Sequence, residues 1–145
     1  MSLAYAYPKS RFEPAMLVDL NSRAERERLS RSALTGFFRL AAAWQVRDDD
    51  ARELLGGLSS SSYYDWKKHP ERVLEVDRIT RISYLLGIYK ALHILYGDKL
   101  ADEWIHLPNT NAIFQGRTPL AYMLGGGMLA MQTVRRLLDA RRGGL

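Results

Sequence analysis

Few groups of residues in this chain could do covalent chemistry, and none has the partners it would need. His69, His93 and His106 lack the spacing of a metal site. Asp48, Asp49 and Asp50 stand in a row, but no further oxygen ligands follow in a calcium-loop pattern. Gly125-Gly126-Gly127 has neither the preceding strand nor the lysine of a phosphate loop. There is no cysteine, which removes thiol catalysis, thiolate metal sites and disulfides together. The expectation is a protein that is not an enzyme and needs no metal or cofactor.

Two stretches carry binding chemistry instead. Residues 48–68, DDDARELLGGLSSSSYYDWKK, read as a short helix, a glycine turn and a serine-capped helix, the order of a DNA-reading helix-turn-helix. In that reading Ser60, Ser61 and Ser62 offer hydroxyls to phosphates or base edges. Tyr63 and Tyr64 pack on the backbone or on thymine methyls, and Lys67 and Lys68 neutralise phosphates, with Arg52 as a further cation. Trp66 is the expected buried anchor. An ordinary helical hairpin with an exposed serine cap would have the same pattern.

The second stretch is 107–129, LPNTNAIFQGRTPLAYMLGGGML. Gly116 permits a positive φ just before a helix that Thr118 caps and Pro119 starts. A loop held in one shape loses little entropy on binding, and Arg117 offers a planar fork to acidic groups. Trp104, Phe114 and Leu120 could equally be core residues, and Asn109 could merely shape a turn.

The elements that must position these residues are all helices. Residues 1–20 mix Pro8, Pro14, Tyr5 and Tyr7 without periodicity and read as a loose arm. A charged helix start at Asn21–Arg31 runs into a face of Leu34, Phe37, Phe38, Ala41 and Trp44, weakened by Gly36. The Asp48–Asp50 run should cap a helix near Asp50–Leu55 that stops at Gly56-Gly57, and Ser59 or Ser60 a helix over Ser61–Lys68. Asp77 should cap a long helix reaching Gly97, with Ile79, Ile82, Leu85, Leu86, Tyr89, Leu92 and Tyr96 along one face. Asp98 starts a shorter helix through Ile105, with His106 at its C-terminal end. A helix from Pro119 should stop at Gly125–Gly127, and a last one presents Met131, Val134 and Leu138. No alternating strand or internal repeat is visible.

Composition adds limits. A chain of 145 residues with 47% hydrophobic and 26% charged residues can bury a real core. No run approaches the roughly 18–20 apolar residues of a membrane span, and no signal-peptide core precedes the domain; a cytoplasmic location with no membrane partner follows by elimination. The formal net charge of +5 is carried mainly by residues 77–145, while residues 1–76 are close to balanced. That balance disfavours tight DNA binding by a monomer, and a dimer with two reading helices about 34 Å apart would compensate.

Taken together, ARELLGGLSSSSYYDWKK (51–68), DRITRISYLLGIYKALHILYGD (77–98), ADEWIHLPN (101–109) and FQGRTPLAYMLGGG (114–127) resemble the antitoxins of the Xre/MbcA/ParS group. The resemblance covers roughly Leu34 to Leu145. It implies an all-α protein with an Xre-like helix-turn-helix over 21–76 and a helical toxin-binding domain over 77–145. It also implies an antitoxin that covers the active site of a RES-type, NAD-consuming toxin and represses its own operon as a DNA-bound homodimer. Matched by position, the toxin-facing residues would be Trp104, Pro108, Asn109, Phe114, Gly116, Arg117, Thr118 and Pro119, with Arg141, Arg142 and Leu145 in the tail. The Gly56-Gly57 pair differs from some members, which leaves the register of individual base contacts open. The alternative is a free-standing helix-turn-helix regulator whose second domain only dimerises.

Overall fold

A computed structural model describes residues 19–143, and all regular structure within them is helical. Most of the 1–20 arm, together with Gly144 and the tail candidate Leu145, lies outside the described residues. Helix α1 spans Arg23–Ala43, α2 Asp48–Leu54, α3 Ser60–Lys68, α4 Val76–Trp104 and α5 Pro119–Arg142, with one 3-10 turn at Ala112–Phe114.

Helix α1 begins where Ser22 accepts the Glu25 amide (3.3 Å), a side-chain cap on an orphan N–H. It buries Leu34, Phe37, Leu40 and Ala41, with Trp44 closing the stripe. Its end is a Schellman turn: Val46 N–H reaches the Ala41 carbonyl and Gln45 N–H the Ala42 carbonyl. Gln45 takes the left-handed position (φ 53°) that glycine usually holds. Gly36, an apparent weakness in the sequence, has a packing reason. A Cβ there would stand 3.3 Å from the Leu86 side chain, so α1 and α4 approach through it.

Some expected caps fall elsewhere. Arg47, not an aspartate, is the N-cap of α2, and Asp48–Asp50 form its first turn. Ser59 caps α3 by accepting the Ser62 amide (3.2 Å). Glu75 is the N-cap of α4, so Asp77 lies in the first turn and pairs with Arg81 at 2.9 Å. The carboxylates still sit where the helix dipole favours them.

Helices α4 and α5 both run on past their glycines. Helix α4 kinks at Gly97 (φ 76°, ψ 171°) and continues to Trp104. In α5 helical geometry breaks at Gly127 (φ 64°, ψ −145°), the last residue of the expected stop at Gly125–Gly127, and a second helical segment continues beyond it to Arg142. Packing on both sides of the bend explains this: Leu120 and Met123 are buried before it, Ala130, Met131, Val134 and Leu138 after it. Helix α4 lies between α1 and α5, and α5 also touches α2. The buried residues of all five helices form one continuous core.

Candidate nucleic-acid and partner-protein interfaces

The α2–turn–α3 unit is held by its own backbone and one arginine. Gly56 (φ 98°) and Gly57 (φ 81°) take the positive φ the turn demands. Arg52 Nε donates to the Leu58 carbonyl (2.8 Å), and its Nη1 approaches Asp49 (3.3 Å). Arg52, an expected DNA contact, is thus a half-buried brace of the turn.

On α3 the exposed face is made by Ser60, Ser61, Tyr64, Lys67 and Lys68, with Ser62 half-buried at its flank. Tyr63 departs from the expectation. It is 2% exposed and packs edge-on against Phe38, so its ring supports the helix from within. The anchor expected at Trp66 is this Tyr63; Trp66 is half-buried beneath the guanidinium groups of Arg72 and Arg78.

Asp48 accepts from both tyrosine hydroxyls, Tyr63 at 3.1 Å and Tyr64 at 2.8 Å, which ties the start of α2 to α3. The Tyr64 and Tyr63 hydroxyls hold the Asp48 carboxyl below its usual range. Burial, then the bond to Asp48, pushes Tyr63 up to about 12. The bond to Asp48 raises Tyr64 as well. Nothing in the local sequence pattern singles out Asp48 for this role.

The second surface lies between α4 and α5. Asn109 accepts the Asn111 amide (2.8 Å), and Asn111 accepts the Ile113 amide (3.1 Å) to cap the 3-10 turn. Such side-chain turns shape the loop without help from a partner. Gln115 and Gly116 then follow with φ 52° and 80°. Thr118 accepts the Ala121 amide (3.1 Å) and Pro119 opens α5, as the spacing indicated. Leu120 N–H reaches the Ile105 carbonyl (3.0 Å), and His106, not a cap of its own helix, donates through Nε2 to the Trp44 carbonyl of α1.

Within this frame the candidates separate. Phe114 is fully buried, edge-on to Trp104 (6.0 Å) and to Tyr122 (5.3 Å), and Trp104 and Pro119 are buried too. These three position the loop and do not face outward. Leu107, Pro108, Gly116 and Arg117 are exposed, with Asn109 and Thr118 half-buried between them. The Arg117 guanidinium lies 5.5 Å over the Tyr122 ring and has no carboxylate partner among the described residues. An exposed cation is therefore held in place by an aromatic stack that runs into the core. In the tail, Arg141 is turned back to the Tyr96 hydroxyl (2.9 Å), while Arg142 is exposed at 4.0 Å from Asp139.

One cluster escaped the sequence reading. His93 Nδ1 meets Asp98 at 2.9 Å and Nε2 meets Asp102 at 3.0 Å, with the ring stacked on Tyr89 (4.2 Å). It bridges the Gly97 kink. Burial depresses its pKa, but the hydrogen bonds to the two aspartates outweigh that and hold it above the usual histidine value. No motif signals this pairing, since a kink had first to bring Asp98 and Asp102 to opposite edges of the ring.

The family comparisons cover both surfaces. Residues 22–87 match the model of the antitoxin Xre-like helix-turn-helix domain, and residues 91–144 that of the antitoxin Xre/MbcA/ParS C-terminal toxin-binding domain. The two matches meet inside α4. An uncharacterised protein of Sinorhizobium fredii (strain NBRC 101917 / NGR234), y4oB, is 41% identical over 112 residues, covering 77% of this chain and 84% of the relative. No solved structure matches. With an Xre-like helix-turn-helix running into a toxin-binding domain on one continuous core, the chain belongs to the Xre/MbcA/ParS antitoxins.

Proposed function

We propose that this antitoxin neutralises a RES-type, NAD-consuming toxin by laying the 107–118 loop and the start of α5 over the toxin's active site. As a homodimer it then represses its own operon through the helix-turn-helix. The carrying observation is Arg117: exposed, free of any carboxylate among the described residues, and stacked on Tyr122 within the toxin-binding match. An exposed arginine fork on a pre-shaped loop suits the acidic rim of a partner site. Pro108, Asn109, Gly116, Thr118 and Leu107 form the surrounding surface, and Arg142 extends it. Among the described residues, four of the six large exposed apolar side chains, Ile94, Leu100, Leu107 and Leu129, lie in the same half of the chain, which supports a protein partner there. Helix α3 offers DNA Ser60, Ser61, Tyr64, Lys67 and Lys68.

The test is co-expression with the toxin encoded beside the gene, followed by co-purification and measurement of cellular NAD. The wild-type chain is expected to co-purify and to preserve NAD. Arg117→Glu should keep its fold, measured by circular dichroism, yet lose at least tenfold in toxin affinity. Equal protection by Arg117→Glu would refute the loop assignment. Co-purification without any change in NAD would refute the toxin class.

A further inference from the structure

We propose that a stripe on α1, Arg28, Ser32, Thr35 and Arg39 with Arg31 beside it, is a second DNA-backbone site that continues past α3 at Lys67. This rests on the reading of the helix-turn-helix as DNA-binding, and names a surface that reading does not include.

The stripe follows from helix geometry. Positions 28, 32, 35 and 39 recur at i, i+4, i+7 and i+11, so they stand in one row about 16 Å long. Two shallow grooves run along it. One is lined by Arg28, Arg31, Ser32, Thr35 and Arg39. The other shares Thr35 and Arg39 and adds Lys67 and Pro70 from the end of α3 and the loop after it. The shared Thr35 and Arg39 place the two grooves side by side along the row.

Its chemistry is that of a phosphate track. Arg39 and Lys67 are exposed and have no carboxylate partner among the described residues. Arg28 and Arg31 do pair, with Glu25 at 2.6 Å and Glu71 at 3.7 Å, but both arginines and Glu71 are exposed and Glu25 is only half-buried. Pairs of that kind are weak and exchange readily for a phosphate. Glu27, the one other acid on this part of α1, stands about 100° round the helix from Arg28, off the row but on the side of Arg31, one turn away. Ser32 and Thr35 put hydroxyl donors between the cations.

The opposite flank of α3 explains why such a track is needed. The start of α2, where a helix-turn-helix ordinarily approaches a phosphate strand, carries Asp48, Asp49 and Asp50. Asp48 is bonded to the outward hydroxyl of Tyr64. Arg47 and Arg52 pair there with Asp50 and Asp49 at 3.6 and 3.3 Å, so the flank is close to neutral and offers a phosphate less than the α1 side does. Duplex DNA would lean onto the α1 side.

Fluorescence anisotropy on two labelled 40-base-pair duplexes tests this, one from immediately upstream of the gene and one of scrambled sequence, between about 50 and 200 mM salt. Arg31→Ala with Arg39→Ala should weaken binding to both duplexes alike. It should also reduce the salt slope by about 1.8 per protomer, so that its fourfold-salt loss is about twelvefold smaller than wild type's. Lys90→Ala with Arg136→Ala removes the same charge from exposed positions on α4 and α5 and is expected to leave the slope unchanged. If the α1 pair and this control pair shift the slope equally, or the α1 pair does not shift it at all, the track is refuted. A wild-type protein that binds neither duplex at the lowest salt sinks the DNA reading as a whole. Loss of affinity in Tyr64→Ala with none in the α1 pair leaves that reading standing and removes the track alone.

Discussion

Ser30 is the single buried polar side chain among the described residues, and it joins α1 to the approach of α4. Its hydroxyl donates to the Arg26 carbonyl one turn back and accepts the Leu74 amide at 2.8 Å, across 44 residues of chain. Leu74 is itself 2% exposed, so its N–H has no access to water. Ser30→Ala would strand that donor. An unsatisfied buried donor costs about 1–3 kcal/mol, whereas alanine returns roughly 0.5 kcal/mol of helix propensity. A net loss of about 0.5–2.5 kcal/mol is expected. With a urea m-value of about 2 kcal/mol per molar, the unfolding midpoint followed by circular dichroism should fall by roughly 0.25–1.25 M at unchanged m. Ser32→Ala is the control, because that exposed hydroxyl makes only a 3.4 Å bond to the Leu29 carbonyl. It should be neutral or slightly stabilising. Both proteins need comparison at two concentrations, since dimerisation would add stability that depends on concentration. A Ser30→Ala midpoint within 0.2 M or so of wild type would refute the argument, for it would mean the Leu74 amide finds another partner.

Other perturbations separate shape from contact. Thr118→Ala removes the cap of α5 and should cost about 1 kcal/mol in the same urea experiment, with a matching loss of toxin affinity if loop shape governs binding. Gly116→Ala should destabilise by about 1–2 kcal/mol, because φ is 80° there. Gly125→Ala should instead be neutral or gain up to about 1 kcal/mol, since Gly125 is helical and an added Cβ meets only Arg117 Nη1 at 3.5 Å; identical effects of the two would contradict the backbone assignment. The His93 pKa is raised in the fold, so its contribution is fully present below the unfolded value of about 6.5 and is lost as pH rises through the folded value. Melting temperature should therefore decline with pH through that window, and His93→Gln should flatten the decline. A wild-type profile that matches the variant's would exclude the bridge to Asp98 and Asp102.

The helices were legible in the sequence because their apolar residues recur with the right period. Leu34, Phe37 and Trp44 on α1, and Ile79, Ile82, Leu85 and Leu92 on α4, are all buried. The Ser59, Thr118 and Pro119 signals placed helix starts correctly for the same local reason. Gly97 and Gly127 break helical geometry where the glycines indicated, and a further helical segment packs beyond each. What the pattern misjudged was the capping residue. Asp77 and Asp48–Asp50 have cap chemistry, but the turn of backbone lies one to two residues earlier. Local pattern marks the neighbourhood of a boundary, and tertiary contact selects the residue.

The sites were harder to read for a different reason. Aromatic residues stand out in a sequence, and the stretches within the two family matches carry Trp104, Phe114 and, in the helix-turn-helix, Tyr63. All three are buried. They are distinctive in sequence because they hold the scaffold: Trp104 and Phe114 back Tyr122, which in turn carries Arg117. The side chains left to meet a partner are plain ones, an arginine, a proline, a few serines and lysines, whose sequence pattern is that of any solvated surface. Charge shows the same limit. Summed along residues 1–76 it nearly cancels, which argues against a nucleic-acid partner. In space the aspartates collect at the start of α2, while Arg39 on α1 and Lys67 near the end of α3 face a shared groove with no carboxylate partner among the described residues. A field depends on where charges sit within a Debye length of about 8–10 Å, so the net charge of a segment says little about the face it presents.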